Sequence, residues 1–402
     1  MPRDFVPVAR PHLGQEEVLA AERAILSGWV TQGPEVAAFE AEFAAFVGAP
    51  HACAVSSGTT ALHLALLAVG VRAGDEVITV SHSYIATANS VRYCGARPVF
   101  VDIDSSTFNI DPQKVEEAVN DRTRAILCVH QMGMPCDLNQ LLSVSQRHGL
   151  ALVEDAACAI GSEILCNGTW EKIGKPHGDV ACFSFHPRKL LTTGDGGMLT
   201  TADTAIDSKL RLWRQHGMSV PDAVRHASPV VVFESYPELG FNYRLTDIQA
   251  AVGREQLKRI PEAVQERRRL AQRYRELLSD IQELTLPTEP IWARTNWQSY
   301  CVRLSEHFSQ KLVMQRMLDD GVATRRGIMC AHREAAYSDP GSWRCAQPQC
   351  SPASHCPNLI ESEKAQDRSI ILPLFSQMTE SQQERVAASL RGACSAKVNA
   401  AD

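Results

Sequence analysis

From about residue 50 to residue 200, short apolar runs alternate with helical patterns, and this alternation restricts the fold more than any other feature of the chain. "HACAVS", "DEVITV" and "RPVFVDI" read as strands, while "TTALHLALLAVG" and "YIATANSVRYCG" between them carry apolar residues at helical spacing. The rhythm continues through "AILCVH", a helix over 137–148 and "GLALVEDAA". Strands separated by helices form βαβ units, so the expected fold class is α/β, with a mostly parallel central sheet flanked by helices. After about residue 245 the strands thin out and charged helices such as "IPEAVQERRRLAQRYRELLSD" take over, apolar on one stripe and Arg/Glu-rich on the other. The expected division is a large domain over 1–245, its N-terminal segment within reach of the small domain, and a smaller C-terminal α/β domain over 246–402. In the latter, "QSYCVRLS" and "GVATRR" are strand candidates, 309–320 and 380–391 are helix candidates, and 338–357 is a loop by its Pro, Ser and Gly content.

Composition excludes several classes. At 402 residues and 45% hydrophobic content the chain can bury more than one core. Its longest apolar run, near Ala61–Val71, is broken by His63 and too short to cross a bilayer, and "MPRDFVPVARPHLG" lacks a signal-peptide core, so a cytoplasmic protein without membrane contact is expected. A net charge of -6 with intermixed signs offers no cationic face for nucleic acid and favours a small-molecule partner. The cysteines, odd in number at thirteen and spread along the chain, are expected mostly as reduced thiols.

In an open parallel sheet, ligands sit beyond the carboxyl ends of strands. Three such ends carry polar groups. "AVSSGTTALHLAL" ends a strand in Ser56, Ser57, Gly58, Thr59 and Thr60 before a helix, an arrangement that suits a phosphate or a plain N-cap. A nucleoside-triphosphate loop is excluded, because "GTWEKIGK" has one residue too many and runs into Pro176. "LALVEDAACAIGSE" delivers Glu154 and Asp155, which can hold a protonated ring nitrogen, bind a metal or cap a turn. "ACFSFHPRKLLTTGDGG" places Lys189 between a strand and a glycine-rich turn. Phosphate cradle, carboxylate and lysine in one βα array are the three groups that pyridoxal phosphate requires. A nicotinamide dehydrogenase would need G-x-G-x-x-G after an early strand, and none occurs there.

Ordered blocks extend this pattern: "SGWVTQGPEVAAFE", "SSGTTALHLAL", "GDEVITVSHSYIATANSV", "PVFVDIDSSTFNID", "VHQMGMPCDL", "VEDAACAIGS", "SFHPRKLLTTGDGGM" and "LGFNYRLTDIQAAVG". Over residues 11–391 the chain resembles the DegT/DnrJ/EryC1/StrS sugar aminotransferases, fold-type I enzymes dependent on pyridoxal 5'-phosphate (PLP). The resemblance implies that Lys189 holds the cofactor covalently and serves as acid and base. It also implies that Asp155 keeps the pyridine nitrogen protonated, that Tyr84 stacks on the ring, and that Gly58, Thr59, Thr60 and Ser184 surround the phosphate. Cys158 replaces the Gln or His that many relatives carry near the cofactor's 3-hydroxyl, and Asp195 replaces a common Glu in the turn after the lysine. His186 is read as shaping its strand end. Asn242 is expected to reach the site of a neighbouring subunit, which implies a homodimer.

The implied reaction moves an amino group from L-glutamate to a keto group of a nucleotide-linked deoxysugar, with the cofactor cycling through pyridoxamine 5'-phosphate. An aminocyclitol or other ketone is the alternative acceptor. A sugar dehydratase of the same group would carry His in place of Lys189, and a regulatory protein would not need the intact set. Arg325, Arg326 and His332, in "GVATRRGIMCAH", lie where relatives place a substrate-facing loop, and paired arginines suit a diphosphate or carboxylate or merely an exposed surface. Cys345, Cys350, His355 and Cys356 lack the C-x2-C pairs of a zinc site, so no metal is expected.

Overall fold

The computed structural model describes residues 5–221, 225–226, 228–346 and 355–395. Its strands in chain order are β1 His51–Val55, β2 Glu76–Val80, β3 Arg97–Val101, β4 Thr123–Val129, β5 Ala151–Asp155, β6 Glu163–Cys166, β7 Thr169–Lys172, β8 Val180–Ser184 and β9 Gly197–Thr201, then β10 Leu284–Thr285, β11 Ala293–Arg294, β12 Tyr300–Leu304, β13 Arg325–Arg326, β14 Arg344–Cys345 and β15 Ser369–Leu372. Around them lie the helices α1 Gln15–Leu26, α2 Pro34–Val47, α3 Gly58–Ala68, α4 Ala86–Tyr93, α5 Pro112–Ala118, α6 Leu138–His148 and α7 Thr204–Trp213. The chain then continues through α8 Asp247–Lys258, α9 Ile260–Leu278, α10 Gln310–Asp319, α11 Ile360–Arg368 and α12 Glu380–Ser395.

The main sheet runs β1-β9-β8-β5-β4-β2-β3-β14. Only β9 opposes its neighbours, pairing antiparallel with both β1 and β8. The sheet is therefore mostly parallel, as the βα rhythm requires, and the carboxyl ends of β1, β2, β5 and β8 share one edge. Strand alternation fills both faces: Ala52 and Ala54 of β1 join one core with Ile78, while Cys53 and Val55 join another with Val77. A separate core gathers Tyr274, Tyr300, Val302, Val313 and Val386 around the sheet β10-β12-β15-β13, and Val6 of the N-terminal segment packs into it.

Two segments beyond residue 245 pack on the large sheet's side. Asp247, at the start of α8, accepts the backbone N–H groups of Gly33 (2.8 Å) and Val36 (3.0 Å) at the N-terminus of α2. Strand β14 extends the main sheet beside β3. The irregular stretch 338–357 thus contains a short strand, and its residues 347–354 lie outside the described ones.

Candidate active site

Glu154 and Asp155 end β5 side by side, and alternation sends their side chains opposite ways. Glu154 is buried against His130, whose Nε2 is 2.9 Å from its carboxylate, and accepts the Gly178 N–H at 3.0 Å. It ties β5 to its surroundings. Asp155 accepts the Thr87 hydroxyl at 2.8 Å and the Ala157 N–H at 3.2 Å. Burial pushes its carboxyl above the ordinary carboxylate range, although the Thr87 hydroxyl, the Ala157 N–H and nearby Lys189 all favour the ionised form. A cationic ring nitrogen would complete what those groups begin.

Lys189 lies in the turn after β8, where its N–H donates to the His186 carbonyl at 2.8 Å. His186 is exposed and its Nδ1 accepts the Arg188 N–H at 3.2 Å, so it shapes this turn. The Lys189 amine reaches Cys158, with Nζ 3.0 Å from Sγ. The loop bearing Cys158 is held from the other side: Asn296 Nδ2 donates to the Cys158 and Ile160 carbonyls, each at 2.8 Å. Gln298 Nε2 donates to the Arg188 carbonyl at 3.0 Å. Between them Trp297 takes a positive φ of 51°, a conformation few large residues adopt.

At the end of β1, Ser57 and Thr60 close a capping box: the Ser57 hydroxyl accepts the Thr60 N–H at 3.1 Å, and the Ser57 N–H donates to the Thr60 hydroxyl at 3.0 Å. The Thr60 hydroxyl is thereby used within the helix start. The N–H groups of Gly58 and Thr59, in the first turn of α3, have no acceptor inside the helix. A Cβ on Gly58 would stand 2.8 Å from Ser184 Cβ, so only glycine lets the helix terminus and the end of β8 approach this closely. This cradle, the buried Asp155 and the free Lys189 amine fit the phosphate, ring nitrogen and carbonyl carbon of PLP.

Tyr84 stands 61% exposed beyond β2. Arg325 and Arg326, on β13, are also exposed. His332 is the exception among the expected substrate contacts. It is buried, with Nδ1 2.6 Å from the Ser81 hydroxyl and Nε2 3.0 Å from Glu363, so both ring nitrogens are occupied within the fold. Asn242 is exposed and accepts from Arg244 Nε at 3.3 Å. In the cysteine-rich loop, Cys345 is disulfide-bonded and has no thiolate to offer a metal, His355 pairs with Glu363, and Cys350 lies outside the described residues. Thr87, Asn296 and Gln298 are site supports that no sequence motif indicated.

Residues 11–391 match the model of the DegT/DnrJ/EryC1/StrS aminotransferase family, and the chain belongs to that family of PLP-dependent aminotransferases. The spore coat polysaccharide biosynthesis protein SpsC of Bacillus subtilis (strain 168) is 41% identical over 302 residues, 75% of this chain and 76% of its own. Among solved structures, DesV of S. venezuelae, in complex with a ketimine intermediate, is 32% identical with a TM-score of 0.86 over 98% of this chain and 100% of that one. The aminotransferase TlmJ of Streptoalloteichus hindustanus is 31% identical with a TM-score of 0.86 over 98% and 99% of the two chains. Among the described residues, no helix is long and apolar enough to cross a membrane.

Proposed function

We propose that the chain transfers an amino group from an amino acid, L-glutamate in the simplest case, to a keto group of a nucleotide-linked deoxysugar. The observation that carries this reading is the convergence of Lys189, Asp155 and the Gly58–Ser184 cradle at one edge of the sheet, within a chain of the sugar aminotransferase family. Bound PLP supplies a ring that withdraws electrons from a substrate carbon. Gly58, Thr59 and Ser184 hold its phosphate, Asp155 holds its ring nitrogen as a cation, and Tyr84 covers one ring face. Lys189 tethers the cofactor at rest and, displaced by the donor's amine, carries the proton leaving the substrate carbon. The same lysine serves the return half-reaction from the pyridoxamine form to the acceptor ketone.

The reading includes a homodimer. Leu26 (78%), Val231 (83%), Phe233 (89%) and Leu239 (87%) expose apolar side chains on α1 and in the segment leading to Asn242, which favours a second copy as their cover. Asn242 then lies beside the partner's cofactor phosphate.

The test is the visible spectrum of the protein incubated with pyridoxal phosphate, before and after L-glutamate, beside Lys189→Ala. The expected result is a yellow band that glutamate bleaches and that the variant lacks. Absence of a bound chromophore would overturn the cofactor assignment, and a band indifferent to glutamate would move the donor to another amino acid. Competition between nucleotide-linked keto sugars and cyclitol ketones then assigns the acceptor.

A further inference from the structure

Arg188, from the turn that carries Lys189, and Arg325, from the edge strand β13, line one cleft together with Val8, Gln298 and Ser299. Arg326 follows Arg325 on β13, whose backbone is fixed to β15 through the pairs Arg325–Ile371 and Arg326–Ile370. The Arg188 backbone is fixed in turn by Gln298. Two unrelated elements therefore hold their cations at one place.

Among the described residues none of these three guanidinium groups has a carboxylate partner. Their neighbours in the chain do: Arg333 pairs with Asp367 at 2.8 Å and Arg344 with Glu76 at 2.6 Å. Like charges left together and unneutralised weaken a fold and need another reason to exist. They feel one another: burial, and then Arg188 and Arg326, lower the affinity of Arg325 for its proton, partly offset by Tyr84. The His186 imidazole is depressed by partial burial first and then by Arg188, with Lys189 and Arg325 adding to it against the opposing Asp195 carboxylate, so Arg188, Arg325 and Lys189 lie near one ring.

We propose that Arg188 and Arg325 form an oxyanion clamp in this cleft, which binds a second acidic group of the substrate while its reacting carbon lies at Lys189; Arg326, on the opposite face of β13, stays outside it. This rests on the aminotransferase reading and adds to it the recognition element. Guanidinium forks match carboxylate and phosphate oxygens in pairs, and their charge is not lost at any working pH. The anion can come from the distal carboxylate of a dicarboxylic amino donor or from the diphosphate of a nucleotide-linked acceptor. Arg188 and Lys189 share one turn, and both, with Arg325, act on the His186 ring, which puts the clamp and the amine in one neighbourhood.

The test is calorimetric titration of the cofactor-loaded protein with glutarate and, separately, with inorganic pyrophosphate. Wild type is compared with the double variant R188Q/R325Q and with R326Q, whose exposed side chain leaves the fold intact. Amino transfer from L-glutamate and from L-alanine is followed in parallel. The clamp predicts a loss of at least about tenfold in affinity for one of the two anions in the double variant, and a change of less than about twofold in R326Q, which serves as the control. An effect on glutarate, with L-glutamate reactivity lost and L-alanine reactivity kept, assigns the donor carboxylate; an effect on pyrophosphate alone assigns the diphosphate. Failure of wild type to bind either anion, affinities unchanged within about twofold in the double variant, or a loss in R326Q as large as in the double variant, overturns the proposal. The cofactor band, read in the same samples, shows separately whether the aminotransferase reading stands.

Discussion

Lys189 Nζ and Cys158 Sγ stand 3.0 Å apart, so the thiol touches the lysine amine itself. A thiol is a weak hydrogen-bonding group and leaves the amine available. A neutral contact of this kind contributes about 1 kcal/mol, so Cys158→Ala should lower turnover by about fivefold, whereas Lys189→Ala abolishes it. Steady-state rates of the two variants under one donor and acceptor check this. A loss on Cys158→Ala as complete as that of the lysine variant would show that the thiol itself carries a proton.

Asp155 depends on a residue 68 positions away in the chain, Thr87, whose hydroxyl donates to it at 2.8 Å. Burial raises the Asp155 carboxyl, and this hydroxyl opposes the rise. Thr87→Val therefore raises it further, and the acid limb of the rate profile should move to higher pH while the plateau rate changes little. Asp155→Asn, which removes the charge at every pH, should cost about 100-fold or more in turnover across the profile. A pH profile of kcat/KM for both variants decides the matter; an unmoved acid limb in Thr87→Val would separate Asp155 from that titration.

Lys189 and Asp155 stood out in the sequence because Asp155 ends an apolar strand and Lys189 lies in the turn that follows one, and the sheet's parallel order brings such ends to one edge. The choice of Asp155 over Glu154 came from the family resemblance and not from the strand pattern, since alternation fixes opposite directions without saying where the site lies. Thr87, Asn296 and Gln298 contact their partners across 68, 138 and 110 residues of sequence, a separation over which local pattern carries no signal. His332 misled for the same reason: its burial is created by Ser81, 251 residues away, and by Glu363. The cap that Asp247 supplies to α2 reaches across 214 residues and was hidden in the same way.

Glu76 begins β2 as a buried carboxylate among cations: Arg344 at 2.6 Å, Arg122 at 3.1 Å, Arg97, and the Asn120 amide at 2.9 Å. It joins β2 to β3 and to β14, the late strand on the sheet edge. Burial alone would raise its carboxyl, but hydrogen bonds from Arg344, Arg97 and Asn120 outweigh burial and hold it at about 2, against 4.5 for a free glutamate. A carboxylate depressed in the folded state contributes stability that is present above its unfolded value and is lost as pH falls through the window from about 4.5 to about 2. Glu76→Gln leaves the arginines clustered without their partner and should lower the melting temperature at neutral pH by about 5 °C. The difference from wild type should shrink as pH falls through that window, because wild type loses the same charge there. Thermal scans of both proteins at one heating rate, from pH 7 to pH 3, measure it; a difference that stays constant across this range would mean that Glu76 acts by shape and not by charge.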